Sequence, residues 1–444
     1  MSATLASHAP HSFAFVASAA ILAGAYVLIV IERVDRTVVS LLGAGLVVVL
    51  GLLTQSEAIG FIDFNTIGLL AGMMIIVSIS RKSGVFSYAA IAAAQLVRAS
   101  PAGVLAAFSL ITAMLSAFVN NVTVVLLVVP VTFVVCGELG IGVYPFLFAE
   151  ILASNIGGTA TLIGDPPNIL IGSATGLGFD AFAAQLAPVA AIILLLQLAA
   201  GHLLWGAKMK AAPESRARVM AIHAAESIED RYLLACSLAV LAAVLTAFTF
   251  ASRLGLEPAT IALCGAGVLL LLESLPQDRA VRAGNVARAL VEVEWTMLIF
   301  LVGLFVMIGA VEQAGVLTAL GHLLVATAGH DLPVTASTVL WLSAVFSAIV
   351  DNVPYVAAMI PLIKGVAPAL GGSQHLAPVW WSLALGAGLG GNGTLIGSSA
   401  NLAVAALAER SGVRFSFVAF AIRAVPLMLA SVAVAQAYVW WRYF

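Results

Sequence analysis

Residues 154–172 read SNIGGTATLIGDPPNILIG, and apolar sequence runs up to them on both sides. Asn155, Asp165, Pro166, Pro167, Asn168 and four glycines fall inside this one stretch. A proline lacks the backbone donor and clashes with the preceding turn, so no regular helix runs through. A carboxylate inside hydrocarbon is costly. Irregular backbone at membrane depth is tolerated only where protein buries it or where it lines a water-filled cavity. The stretch therefore reads as a purposeful break. It presents N–H groups at one half-helix and C=O groups at the other, with partial charges able to hold a solute. On this reading Gly157, Gly158 and Gly164 permit the unwinding, and Pro166 and Pro167 enforce it.

The membrane setting follows from composition. The chain has 444 residues, of which 62% are hydrophobic and 9% charged, with mean hydropathy +1.12. Soluble domains carry about a quarter charged residues, so a soluble globular protein is excluded. Cys136, Cys236 and Cys264 have no CxxC spacing, and the histidines no metal-ligand spacing. No metal site, cofactor or disulfide framework is expected, nor a nucleic-acid partner. A GxxxxGK[ST] loop is absent, so ATP drives nothing here unless a separate ATPase subunit supplies it. An intramembrane enzyme would need a nucleophile or metal motif, and none is found. No Lys or Arg precedes Arg33, so the first apolar segment lacks the basic start of a signal peptide and reads as a retained span.

Spans of about 20 apolar residues are expected at 13–31, 38–53, 66–80, 182–205, 232–250, 258–274, 295–311 and 416–441. Two further spans, 145–174 and 378–408, are interrupted by Gly, Asn and Pro. Segments 102–137 and 335–370 each carry a polar tip, FVNNVT and IVDNVP. Fifteen of the nineteen Lys and Arg fall in alternate loops. Positive charge marks the cytoplasmic side, and the alternation holds only if 102–137 and 335–370 enter and return on one face. The expectation is ten spans and two re-entrant hairpins, with both termini outside. Residues 206–231, long and charged, read as a cytoplasmic linker.

The two halves repeat. AFVNNVT at 117–123 matches AIVDNVP at 348–354, and KSGVF at 82–86 matches QAGVL at 313–317, both offset by 231. TLIGDPPN at 161–168 matches TLIGSSAN at 394–401, offset by 233. Each half (13–205 and 232–441) holds five spans, one of them broken, plus one hairpin. Five is odd, so the second half lies inverted. The expected fold is an all-α polytopic membrane protein of two inverted repeats, the architecture of secondary transporters.

Pseudo-symmetry should bring each tip against a break. Asn120, Asn121 and Asn352 from the tips, with Thr159, Thr161, Asn168, Asn392, Thr394, Ser398 and Asn401 from the breaks, are the expected substrate-binding groups. They can donate to and accept from a small polar solute. Ionisable groups at membrane depth default to function, so Asp165 and Asp351, with Glu150, are the expected proton or cation carriers. Asp165 could instead serve as a helix cap. No Lys, Arg or His is expected in this constellation. Trp380, Trp381, Trp440 and Trp441 read as interfacial anchors.

NNVTVVLLVVPV, SNIGGTATLIGDPPN, DNVPYVAAMIPLI and GGNGTLIGSSAN resemble the ion transporter superfamily, in particular its arsenite permease, sodium/proton antiporter and melanocyte P-protein group. The resemblance covers nearly the whole chain. It implies a scaffold and a transport part in each half, tips and breaks that bind substrate and coupling ion, and room for a homodimer. Related dicarboxylate transporters carry Ser-Asn-Thr tips; here the tips read Asn-Asn-Val-Thr and Asp-Asn-Val-Pro. The expected function is proton-coupled efflux of arsenite or antimonite from the cytoplasm of a bacterium across its inner membrane. Sodium/proton antiport and anion or organic-acid transport are the alternatives.

Overall fold

A computed structural model describes residues 12–31, 33–275, 279–320 and 331–444. The reading of an N-terminus without a basic leader falls partly on residues 1–11, outside the described residues. The principal helices of the first half are α1 (Ser12–Ile31), α2 (Arg36–Val49), α3 (Phe64–Arg81), α4 (Val85–Leu96), α5 (Pro101–Ser116), α6 (Asn121–Leu139), α7 (Tyr144–Thr159), α8 (Pro166–Thr175) and α9 (Phe179–Leu204). Those of the second half are α10 (Arg231–Thr249), α11 (Pro258–Ser274), α12 (Trp295–Gln313), α13 (Leu332–Ser347), α14 (Asn352–Val366), α15 (Ala377–Gly390), α16 (Ser399–Arg410) and α17 (Phe417–Tyr443). No strand occurs among the described residues.

Local chemistry sets the boundaries. The Asp35 carboxylate accepts from Thr37 N at 2.8 Å and starts α2. Asp63 starts α3 by accepting from Asn65 N and Thr66 N. Asn120 Oδ1 accepts from Val122 N at 2.9 Å and starts α6. Each such bond satisfies one of the orphan donors of a helix start. Pro occupies the first turn of α5, α8, α11, α13 and α15, where the missing donor costs nothing.

Among the described residues, seven helical stretches are long and apolar enough to cross a membrane by length and composition, those of α3, α6, α9, α10, α12, α14 and α17. Two of these, α6 and α14, are the second arms of the helix–turn–helix units that begin with α5 and α13. The shorter arms have 16 residues each. Helix α2 has 14 residues, roughly 21 Å at 1.5 Å per residue. It is shorter than α3 and α12, which have 18 and 19 residues.

The two inverted repeats exchange partners. Helix α3 packs on α11 and α12 on α2; α6 packs on α16 and α14 on α8. Helices α7 and α15 meet each other, as do α9 and α17. Two packing groups result: α1–α3 with α10–α12, and α5–α9 with α13–α17.

The glycines of the breaks do something other than unwind. Gly157 lies within helix α7, and none of Gly157, Gly158 and Gly164 has positive φ. A Cβ on Gly157 would strike the Ala113 backbone, and one on its repeat mate Gly390 the Ala344 backbone. These glycines let α7 and α15 touch the first arm of their own hairpin backbone to backbone. Two matching bonds seal the contact: Ser116 Oγ donates to Ser154 O and Ser347 Oγ to Ala387 O, each at 2.6 Å.

One expectation is corrected. Trp380 and Trp381 are buried rather than interfacial, with Trp381 edge-on to Phe182 at 5.0 Å; Trp440 and Trp441 are exposed. Residues 206–231 are folded against the first half. They carry a helix, Pro213–Met220, that packs on α4 and α6. Arg218 pairs with Glu138 at 3.0 Å, Arg216 donates twice to Arg98 O, and Gln95 Nε2 donates to Ile222 O at 2.6 Å. The Arg98 carbonyl is turned outward by left-handed backbone at Arg98 and Ala99, φ 55° and 50°.

Candidate functional site

The turns at 117–120 and 348–351 and the breaks at 160–165 and 391–398 converge. Each break is first tied to its own hairpin. Thr161 Oγ1 donates to Ala117 O, and Thr394 Oγ1 donates to Ala348 O at 2.5 Å. Asn168 Nδ2 donates to Thr161 O and Asn401 Nδ2 to Thr394 O, both at 2.8 Å. Thr161, Thr394, Asn168 and the Asn401 amide thus fold the breaks, and these bonds leave less of them to offer a solute. Thr159 Oγ1 donates to Asn155 O one turn back and abuts α15 at Gly388.

At the centre stands Asn155, which the sequence reading passed over. Its Nδ2 donates to Asn392 Oδ1 at 2.9 Å and Asn401 Oδ1 at 3.0 Å. Its Oδ1 accepts from Asn121 Nδ2 at 3.1 Å and Ser398 Oγ at 3.0 Å. One buried carboxamide on α7 therefore joins a tip, the opposite break and the start of α16, using its full donor and acceptor capacity. The signal in the sequence was asymmetry: the repeat mate of Asn155 is Gly388.

Asp165 opens α8 but makes no cap bond to the helix. Its carboxylate turns to the tips instead. Asn352 Nδ2 donates to Oδ2 at 2.9 Å and Asn121 Nδ2 to Oδ1 at 3.5 Å. Ser398, its repeat mate, does cap, accepting from Ala400 N. The buried acid is thus held by a carboxamide from each tip, and no ion pair reaches it among the described residues.

Asp351 is engaged differently. Its Oδ2 accepts from Arg36, at the start of α2, and from Ser399 Oγ at 2.7 Å. Arg36 also donates to Ser399 Oγ at 3.2 Å. The expectation of a site without a cationic side chain is therefore corrected. Arg36 arrives from 315 positions away along the chain, carried to the second tip at the start of α2. Glu150 lies elsewhere: it is buried between α7 and α6, and Thr132 Oγ1 donates to it at 2.6 Å.

A narrow cleft opens onto this cluster. Asn120, Asn121, Asp165, Asp351, Asn352, Ser398, Arg36 and Glu294 line it, with Met297 and Phe300 as apolar wall. Three carboxylates thus face one guanidinium in this cleft.

Paired helix breaks and hairpin tips around a buried acid, in a multi-pass helical chain, define a secondary membrane transporter. The chain belongs to the citrate transporter family, whose profile matches residues 26–386. It is 41% identical over 433 residues to an uncharacterized transporter of Mycobacterium tuberculosis (strain ATCC 25618 / H37Rv), covering 97% of this chain and 99% of that one. It is 33% identical over 502 residues to the P protein of Homo sapiens, covering 94% of this chain and 59% of that longer protein. Its fold is similar to the crystal structure of the Alcanivorax borkumensis YdaH transporter, with TM-score 0.61, 14% identity and 87% of each chain covered.

Proposed function

We propose that the protein is a cation-coupled antiporter of the bacterial inner membrane, with Asp165 as the coupling carboxylate. The leading reading is proton-coupled efflux of arsenite or antimonite. The observation that carries the coupling role is the Asp165 carboxylate, buried, without a cap bond to its helix, and held among the described residues by Asn352 and Asn121. A proton or small cation bound there neutralises the charge that the tips and breaks enclose. The solute then meets amides and hydroxyls. Arsenite at neutral pH is mostly the neutral trihydroxide, and such groups match its three hydroxyls. No thiol lines the cleft to hold arsenic too tightly for release.

Sodium/proton antiport is the second reading, favoured by the excess of carboxylates in the cleft. Citrate is disfavoured on charge, although the family carries its name: the one guanidinium in the cleft is already bonded to Asp351. In this reading α5–α6 and α13–α14 are re-entrant hairpins opening to opposite faces. The group α1–α3 with α10–α12 is the scaffold, and α5–α9 with α13–α17 moves against it. Residues 206–231 lie on the cytoplasmic face.

Uptake into everted vesicles under an imposed pH gradient, with arsenite, sodium and citrate side by side, tests the assignment. Arsenite accumulation that Asp165→Asn abolishes is the expected result. Citrate accumulation unaffected by Asp165→Asn would overturn it.

A further inference from the structure

The two hairpins differ in how they meet the other packing group. From the second, Pro354 O accepts from Tyr26 Oη of α1 at 2.5 Å, and Asp351 accepts from Arg36 of α2. Ser399, at the adjoining break, accepts from the same guanidinium. Arg36 is itself held in place: its carbon Cζ sits 5.4 Å from the centre of the Phe300 ring of α12, and Asp35 pins the helix start beneath it. Glu294 and Asp165 line the same cleft and are the other carboxylates around this guanidinium.

Nothing equivalent is available to the first hairpin. The repeat mate of Asp351 is Asn120, that of Ser399 is Pro166, and the residue opening α11, the counterpart of α2, is Pro258. An inverted-repeat transporter alternates access by exchanging the conformations of its two halves. The opposite conformation would bring the first hairpin to the starts of α3 and α11, where no such ion pair can form. The Arg36–Asp351 contact therefore acts on one conformation only, and a group that interacts differentially with two states shifts their populations.

We propose that Arg36 is a conformational latch, a guanidinium fixed on one packing group that occupies the Asp351 carboxylate and holds the second hairpin in the docked conformation. It rests on the reading that the two packing groups move against each other. Arg36 is thus a positioning residue. It sets which face the cleft opens to, and a cation competing for Asp351 releases the hairpin by replacing it.

The test uses the full chain in sealed membrane vesicles of both orientations, with Cys136, Cys236 and Cys264 replaced and Val122→Cys placed in the cleft lining. A membrane-impermeant maleimide then reads labelling rates from each face. Arg36→Gln and Asp351→Asn should each shift the ratio of the two rates in the same direction, by at least about fivefold, the usual size of a coupling between states. The exchange Arg36→Asp with Asp351→Arg should restore the original ratio, which a merely structural role would not predict. Arg36→Lys keeps the charge and serves if the neutral variants fail to insert; it should hold the ratio near that of the parent. Ratios unmoved by Arg36→Gln, or unrescued by the exchange, would overturn the latch. The readout needs no solute. Vesicles that carry none of arsenite, sodium and citrate while the ratio still shifts would refute the proposed substrates and leave the latch standing.

Discussion

The hairpin tips at 117–121 and 348–352 have one backbone design and two chemistries. Both turn back at the same offset, both bury an Asn at the start of the second arm, and both seal against a glycine of the following helix. Asn120 and Asp351 each cap the second arm, but Asn120 reaches no partner across the packing groups among the bonds described, whereas Asp351 is also tied to Arg36 and Ser399. The difference shows what duplication leaves free. Backbone contacts must match in both halves for the breaks to fold. The side chains that face the cleft need not, and their divergence leaves the two tips chemically unequal.

The most damaging change to this arrangement should be Asp165→Asn, since both tips donate to that one carboxylate. The amide keeps the shape and loses the charge. Proton-driven accumulation in vesicles should disappear while the protein still inserts; a gradient still built from a pH gradient would remove Asp165 from the mechanism.

Asn352→Ala and Asn121→Ala come next, and they compare the tips directly. Each removes a buried hydrogen bond worth roughly 1–3 kcal/mol. The bond from Asn352 to Asp165 is 2.9 Å and that from Asn121 is 3.5 Å, so Asn352→Ala should raise the apparent KM more. The reverse order would mean that Asn121, through Asn155, is the principal contact.

Gly157→Ala and Gly390→Ala probe what the halves share. Each places a methyl against backbone, an overpacking that costs typically about 1–3 kcal/mol. Melting in detergent should fall by similar amounts for both. A large inequality would show that the two hairpin seats are not equivalent.

Thr161→Val and Thr394→Val remove matching bonds to the tip carbonyls, each worth about 1 kcal/mol. Small, equal losses of thermal stability are expected, with transport retained. Glu150→Gln should have the least effect on transport, because Glu150 lies outside the cleft. A loss of coupling as complete as that of Asp165→Asn would bring it back as a carrier.

Much of this was written in the chain. Hydropathy gave a membrane protein, because about 20 apolar residues can satisfy their backbone in lipid only as helix or barrel. The repeated motifs at near-constant offset gave two related halves, and the prolines at 166–167 with the polar run at 390–401 marked where helices stop. These are local properties, fixed by residues close in sequence. The partnerships were not local. Asn155 reads as one polar residue in an apolar half-helix until four neighbours from other elements meet it. Gly157 reads as a helix breaker until the Ala113 backbone lies against it inside a continuous helix. Arg36 reads as a loop cation until α2 sets it beside Asp351, and the sequence leaves Asp165 either a carrier or a cap until two amides are seen to hold its carboxylate. Spacing along the chain decides where a helix begins and ends. Which buried polar groups satisfy one another depends on packing between distant segments, and only the folded structure carries that information.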